Sequence, residues 1–241
     1  RGVRLARLDS PSAPRLADPM SELTPETARA VDRYLVDTLV GRDSALDHAI
    51  ADQRAAGLPD IEVAPTNGKL LHLLARATGA RRVLEIGTLG GYSTIWLARA
   101  VPEDGRVVTI EAESRHAAVA RASIDRAGVG ERVDIRIGRG ADVLPTLADE
   151  APFDLVFIDA DKESNTFYLD QAARLGRRGA LVIVDNVVRG GRVVDAEDDS
   201  LQVAGVRAGL AMLRDDPRFD ATAVQTWDAK GWDGFALAVL V

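Results

Sequence analysis

Between residues 82 and 214, short apolar runs alternate with amphipathic stretches. The runs fall at residues 82–86, 107–110, 133–137, 153–158 and 180–184. The stretches at 92–100, 114–127, 141–148, 166–175 and 201–214 space their apolar residues as helices do. Strands that are apolar on both faces must be covered on both faces. A parallel sheet with helical crossovers above and below meets that condition. After residue 214 the pattern changes. "ATAVQTW" and "GFALAVLV" read as strands joined by the short link "DAKGWD", which leaves no room for a helix. They are expected to close as an antiparallel hairpin at the end of the sheet.

Ahead of the alternation the chain reads as helical. Thr24 is a favourable N-cap, Pro25 suits the first helical position, and Ala28, Val31, Leu35 and Leu39 share one face. A second helix is expected over 44–56, stopped by Gly57, and a leucine-rich third over 67–78, stopped by Gly79. Residues 1–22 carry arginines but no apolar core, so they do not read as a secretory signal; they are expected to be extended and mobile. Residues 23–241 are expected to form one domain. The net charge of −7 and the lack of any Lys/Arg block argue against a nucleic-acid partner. The absence of cysteine excludes disulfides and thiolate metal sites, and fits a reducing, cytoplasmic setting. No apolar run reaches membrane-spanning length, so no membrane association is expected.

In open α/β sheets, ligands bind beyond the carboxyl ends of the strands, near the point where strand order reverses. The strand ends are therefore where function should be read. After the first strand comes "EIGTLGGYS". Gly87, Gly90 and Gly91 permit a tight turn and a close approach of backbone to a ligand, which a plain strand-to-helix turn also uses. The spacing is not G-x-G-x-x-G, because Leu89 stands at the second glycine's place; this counts against a dinucleotide. The second strand ends in Glu111, where an acid can accept hydrogen bonds from ribose hydroxyls or simply start a helix. Taken with the glycine turn, the nucleoside reading leads. The third strand ends in "IGRGAD", in which a simple turn competes with an approach to a base.

The fourth strand ends in Asp159, Asp161 and Lys162, and the fifth in Asp185 and Asn186. One helical crossover makes these strands neighbours, so Asp159, Asp185 and Asn186 should converge. Two carboxylates and an amide oxygen are hard ligands that suit Mg2+, Ca2+ or Mn2+. Without a cation they would repel, and one pKa would rise. Two unrelated Asp turns are the alternative. Lys162 is either an amine turned back over this site as a general base, or a surface lysine paired with Asp161 or Glu163. Spacing alone favours the surface reading.

As an ordered set, "IEVAPTNGKLL", "VLEIGTLGGYS", "FIDADK", "VIVDNVV" and "KGWDGFALAV" resemble the cation-dependent, S-adenosylmethionine-dependent O-methyltransferases, in particular the catechol and caffeoyl-CoA group and its bacterial branch. The resemblance runs from about Leu23 to the end. It implies a Rossmann-like class I methyltransferase fold: a mostly parallel seven-stranded sheet with a C-terminal antiparallel hairpin and helices on both faces. It implies that Val63, Glu85, Gly87, Thr88, Ser93, Glu111, Gly140, Asp159 and Asp161 surround S-adenosylmethionine. It implies that Asp159, Asp185 and Asn186 hold a divalent cation, with Lys162 as base and Asp159 beside it at the catalytic centre. The implied substrate is a small vicinal-diol aromatic, and the implied assembly a homodimer with the N-terminal helices as its contact.

Departures from the family pattern are Glu111 in place of Asp, Gly140 in place of Ala, and Arg189 where Trp is common. Arg189 would sit at the pocket rim, as a solvated residue or as a group favouring an acidic or phosphorylated substrate. The segment "RGGRVVDAEDDS" is expected to be a mobile loop. Trp96 is expected in the core, and Trp227 and Trp232 are expected to anchor the hairpin. His48, His72 and His116 match no motif. Competing readings are a methyltransferase of another small acceptor, a cofactor-binding protein of this fold without catechol activity, and a nicotinamide-dependent oxidoreductase.

Overall fold

The computed structural model of the chain describes residues 24–241, so the expectation for residues 1–22 lies outside the described residues. Strands β1 (Arg82–Ile86), β2 (Arg106–Glu111), β3 (Val133–Ile137), β4 (Phe153–Ile158) and β5 (Gly176–Asp185) lie parallel. Strands β6 (Phe219–Asp228) and β7 (Gly231–Leu240) form an antiparallel hairpin. The seven strands make one sheet in the order β3-β2-β1-β4-β5-β7-β6. The order reverses between β1 and β4, and there the carboxyl ends diverge to open a cleft.

The alternation of side chains along each strand divides the core in two. Val83, Val107, Leu155, Phe157 and Ile183 face the helices α2 (Ser44–Ala55), α3 (Pro65–Ala77), α4 (Tyr92–Ala100) and α5 (Ser114–Arg126). Their sequence neighbours Leu84, Val108, Val156, Ile158 and Val182 face the opposite layer. That layer contains α7 (Asn165–Leu175) and α8 (Leu201–Asp215). Burial on both faces is the physical reason the strands read as continuous apolar runs.

Three elements differ from the sequence reading. The helix expected over 141–148 is a single turn, α6 (Gly140–Val143), followed by a tighter 3-10 segment, Leu144–Glu150. Pro145 lacks the N–H that an α-helix would need there. Strand β5 begins at Gly176, directly after α7, because Gly176 pairs with Phe153 across a register shift.

The third difference is α1 (Pro25–Leu35), capped by Thr24 Oγ1 accepting from Thr27 N at 3.1 Å. The domain buries its Ala28 and Asp32, whereas Tyr34 is 67% and Leu39 69% exposed, with Val31 and Leu35 also open. Asp32 Oδ2 accepts from Ala229 N at 3.1 Å, and its Oδ1 accepts from Thr66 Oγ1 at 3.3 Å. The helix therefore docks through a polar residue, and most of the face selected by apolar spacing points away from the core.

Candidate active site

The cleft has a volume of about 1230 Å3 and runs over the carboxyl ends of the parallel strands. Val63, Gly87, Thr88, Ser93, Glu111, Gly140, Asp159, Asp161, Lys162, Asp185 and Asn186 all line it. The strand order arranges them in sequence across the opening. Gly140, Glu111 and Gly87 lie over β3, β2 and β1; Asp159 and Asp185 follow β4 and β5.

The glycine turn forms the floor. Gly87 has φ +103, and a Cβ placed on it would lie 1.9 Å from the carbonyl oxygen of Asp159. Asp159 N in turn donates to Ile86 O at 2.8 Å. Only glycine fits this approach, so the turn after β1 and the acid after β4 are fixed against each other. Leu89, at φ 50, occupies the left-handed region without being glycine. Its N–H donates to Glu111 Oε2 at 2.7 Å, and Thr88 N donates to the same atom at 3.2 Å. Glu111 thus clamps the turn from β2 while its carboxylate borders the cleft.

Glu85 lies beneath the floor rather than on the wall, fully shielded from solvent. Its Oε2 accepts from Thr94 Oγ1 and Thr109 Oγ1, while its Oε1 meets no partner. Burial pushes this carboxyl up to about 7, despite the opposing pull of the nearby Ser93, Thr109 and Thr94 hydroxyls. The charge of Asp159 adds to the rise.

At the β4 and β5 ends, two acids and an amine are gathered. Asp185 is buried and its carboxyl is raised well above the ordinary carboxylate range, first by desolvation and then by the charge of Asp159. Asp185 Oδ1 accepts from Asn186 N at 2.6 Å, and Asn186 sits at φ 60, which turns its side chain out of the strand direction. Lys162 is buried, with its Nζ 2.8 Å from Asp159 Oδ1. The surface-lysine reading is therefore wrong: neither Asp161 nor Glu163 is its partner. A 3-10 turn, Lys162–Ser164, and close packing of Gly205 of α8 against the Lys162 carbonyl direct the amine inward. Among the described residues no group of three or more His, Cys, Asp or Glu is gathered to hold a metal; the donor set here is two acids and an amide.

Several lining residues carry no motif. Tyr168 donates its hydroxyl to Asp161 Oδ1 at 2.5 Å, and its ring blocks any Cβ at Gly140. Burial, and then Asp161, raises the Tyr168 phenol. His116 Nδ1 is 3.3 Å from Glu111 Oε1. Asp233 Oδ1 accepts from the backbone N–H groups of Val188, Arg189 and Gly234, and so fixes the segment after β5. Trp232 stacks on Trp227 at 16° across the hairpin, as expected, but also lines the cleft. The segment expected to be a mobile loop is pinned. Arg192 pairs with Asp198 at 2.6 Å, and Arg207 of α8 donates to the carbonyls of Val193 and Asp198.

Comparison with known proteins places this geometry. Residues 44–233 match the O-methyltransferase family model. A catechol O-methyltransferase of Mycobacterium tuberculosis is 56% identical over 87% of this chain and 94% of its own. That of Niastella koreensis is 47% identical over 88% and 96%. An O-methyltransferase from Bacillus cereus, solved in complex with S-adenosylhomocysteine, superposes with a TM-score of 0.88 at 47% identity, covering 90% of this chain and all of that one. With most of its length matched by the family model and by these relatives, the chain belongs to the O-methyltransferase family.

Proposed function

We propose that this enzyme transfers a methyl group from S-adenosylmethionine to one hydroxyl of a small vicinal-diol aromatic, with a divalent cation at Asp159, Asp185 and Asn186. The observation that carries the reading is the buried carboxyl of Asp185 facing the half-buried carboxylate of Asp159, with only the Lys162 amine to offset their repulsion. Such a cluster is expensive to bury without further positive charge. Hard oxygen donors of this number suit Mg2+, Ca2+ or Mn2+, with positions left over for other ligands. When bound, the cation supplies Lewis acidity that favours ionisation of a coordinated hydroxyl.

The protein's own groups do the rest. A methyl sulfonium is already a strong electrophile, so position matters most, and good orientation contributes roughly 7–11 kcal/mol. Lys162 is the candidate group to take the proton of the acceptor hydroxyl. Gly87, Thr88, Ser93 and Val63 would surround the methionine end of the cofactor, with the Glu85 carboxyl beneath them and its unpartnered Oε1 nearby. Glu111 would face the ribose, and Gly140 and Asp161 the base. The cleft exceeds the roughly 300–1,000 Å3 of a single-ligand pocket, which supports two small molecules side by side. Relatives named catechol O-methyltransferase and neighbours solved with S-adenosylhomocysteine or S-adenosylmethionine support the same choice.

Residues 23–241 act as one domain on this reading, and the exposed apolar residues Val31, Tyr34 and Leu35 of α1, with Leu39 in the turn after it, support a homodimer contact. Among the described residues no helix is long and apolar enough to cross a membrane, and we read the setting as cytoplasmic. The test is calorimetric titration of S-adenosylmethionine into chelator-treated protein, then of catechol with and without Mg2+. Cofactor binding with metal-dependent catechol binding is expected; catechol binding of equal strength in chelator would sink the cation's role.

A further inference from the structure

We infer that Arg189 selects an acceptor bearing a carboxylate, so that the substrate is a dihydroxyaryl carboxylate rather than a neutral or cationic catechol. This rests on the methyltransferase reading above and names the substrate class of the same site.

Four Lys and Arg side chains line the cleft: Arg139, Lys162, Arg189 and Lys230. Lys162 is matched by Asp159 at 2.8 Å, and Lys230 by Glu62 at 2.9 Å. Arg139 is exposed and follows β3, at the end remote from the two acids. Arg189 follows β5, beyond Asp185 and Asn186, on the side where an acceptor must lie if the cofactor occupies the β1–β2–β3 ends. Its side chain pairs with no carboxylate among the described residues. Its Nη2 donates instead to the neutral Gln202 Oε1 at 2.7 Å, and its Nε, shielded from solvent, meets no acceptor.

The position is built, not incidental. Arg189 takes φ 57, a left-handed conformation that costs a non-glycine residue free energy. Asp233 Oδ1 holds it there by accepting from Arg189 N at 3.0 Å and Val188 N at 2.9 Å. Opposite, the 190–191 backbone runs against the Trp232 ring, where a Cβ on Gly191 would come within 2.8 Å. A guanidinium placed this way offers a planar fork to a carboxylate, a match that an ammonium does not make. With the remaining wall acidic, one fork suits a monoanion; a phosphate dianion would need a second cation.

The test compares steady-state kinetics of the full chain with 3,4-dihydroxybenzoate, catechol and 3,4-dihydroxyphenethylamine, at saturating S-adenosylmethionine and Mg2+. Wild type should show KM for the carboxylate at least about tenfold below that for catechol, and the amine should be poorest. Arg189→Gln should remove most of that ratio through KM, not kcat, and Arg189→Lys should restore only part of it. Turnover of catechol by each variant controls for folding. An unchanged KM ratio in Arg189→Gln would overturn the assignment of Arg189 alone. Failure of wild type to methylate any of the three diols would overturn the function itself, and this inference with it. Titrations of 3,4-dihydroxybenzoate and of catechol into protein saturated with S-adenosylhomocysteine and Mg2+ should give a Kd ratio in the same direction without chemistry, lost in Arg189→Gln.

Discussion

Gly87 and Asp159 meet backbone to backbone: the space where Gly87 would carry a Cβ is filled by the Asp159 carbonyl, 1.9 Å away. The glycine turn after β1 and the first acid of the proposed cation site are thus one rigid unit. Gly87→Ala must push them apart and adopt φ +103 besides. The expected cost is at least about 3 kcal/mol, roughly 6–12 °C in melting temperature for a chain of this size. Differential scanning calorimetry measures it; a melting temperature equal to wild type would show that the turn has slack.

Lys162→Met keeps most of the length of the side chain and removes the amine. Turnover at saturating substrates is expected to fall by roughly 10²–10⁴, the usual range for loss of a general base. Titration with S-adenosylmethionine should remain near wild type, because Lys162 meets Asp159 and not the glycine turn. Retention of wild-type kcat would remove Lys162 from the chemistry.

Asp185 is destabilising where it is. Its carboxyl is raised by burial and by Asp159, so at neutral pH folding works against it in the absence of a cation. Asp185→Asn should raise the melting temperature in chelator by a few degrees and abolish methyl transfer. Mg2+ should stabilise wild type and leave the variant's melting curve where it was. A variant that melts below wild type in chelator would contradict the proposed strain.

Glu85 makes stability fall as pH rises. Its folded pKa of about 7 lies above the ordinary 4.5 of a glutamate, so the folded state binds the extra proton. The favourable contribution is complete below 4.5 and is lost as pH rises through about 7, a change of roughly 3 kcal/mol. Glu85→Gln should flatten urea-denaturation stability over this window and exceed wild type at pH 8. Equal slopes in the two proteins would show that Glu85 titrates normally.

The sheet was legible because its strands are buried on both sides, and nothing but alternating β and α accommodates that. The acids at Asp159 and Asp185 were legible because strand neighbours converge by topology. What escaped depended on partners distant in sequence. Nothing near Lys162 tells that α8 packs over it through Gly205. Asp233 contacts Val188 and Arg189 only once β7 has paired with β5. Apolar spacing in α1 marked a face of which the domain buries only Ala28, since spacing reports which residues share a side, not what covers it. His116 and Tyr168 belong to no local pattern; each is defined by the acid it meets.

The insertion of β7 between β5 and β6 has a consequence for biosynthesis. On the ribosome, everything through β5 can leave the exit tunnel while the chain after residue 231 has yet to be made. During that interval β5 is an open sheet edge, with Asp185 and Arg189 at its end and no Asp233 to hold the turn. The nascent protein can complete the β1–β2–β3 side of its cleft before it has the β5–β7 side. A stalled or truncated product would therefore carry an unprotected apolar edge, an aggregation hazard in the cell rather than a slow enzyme.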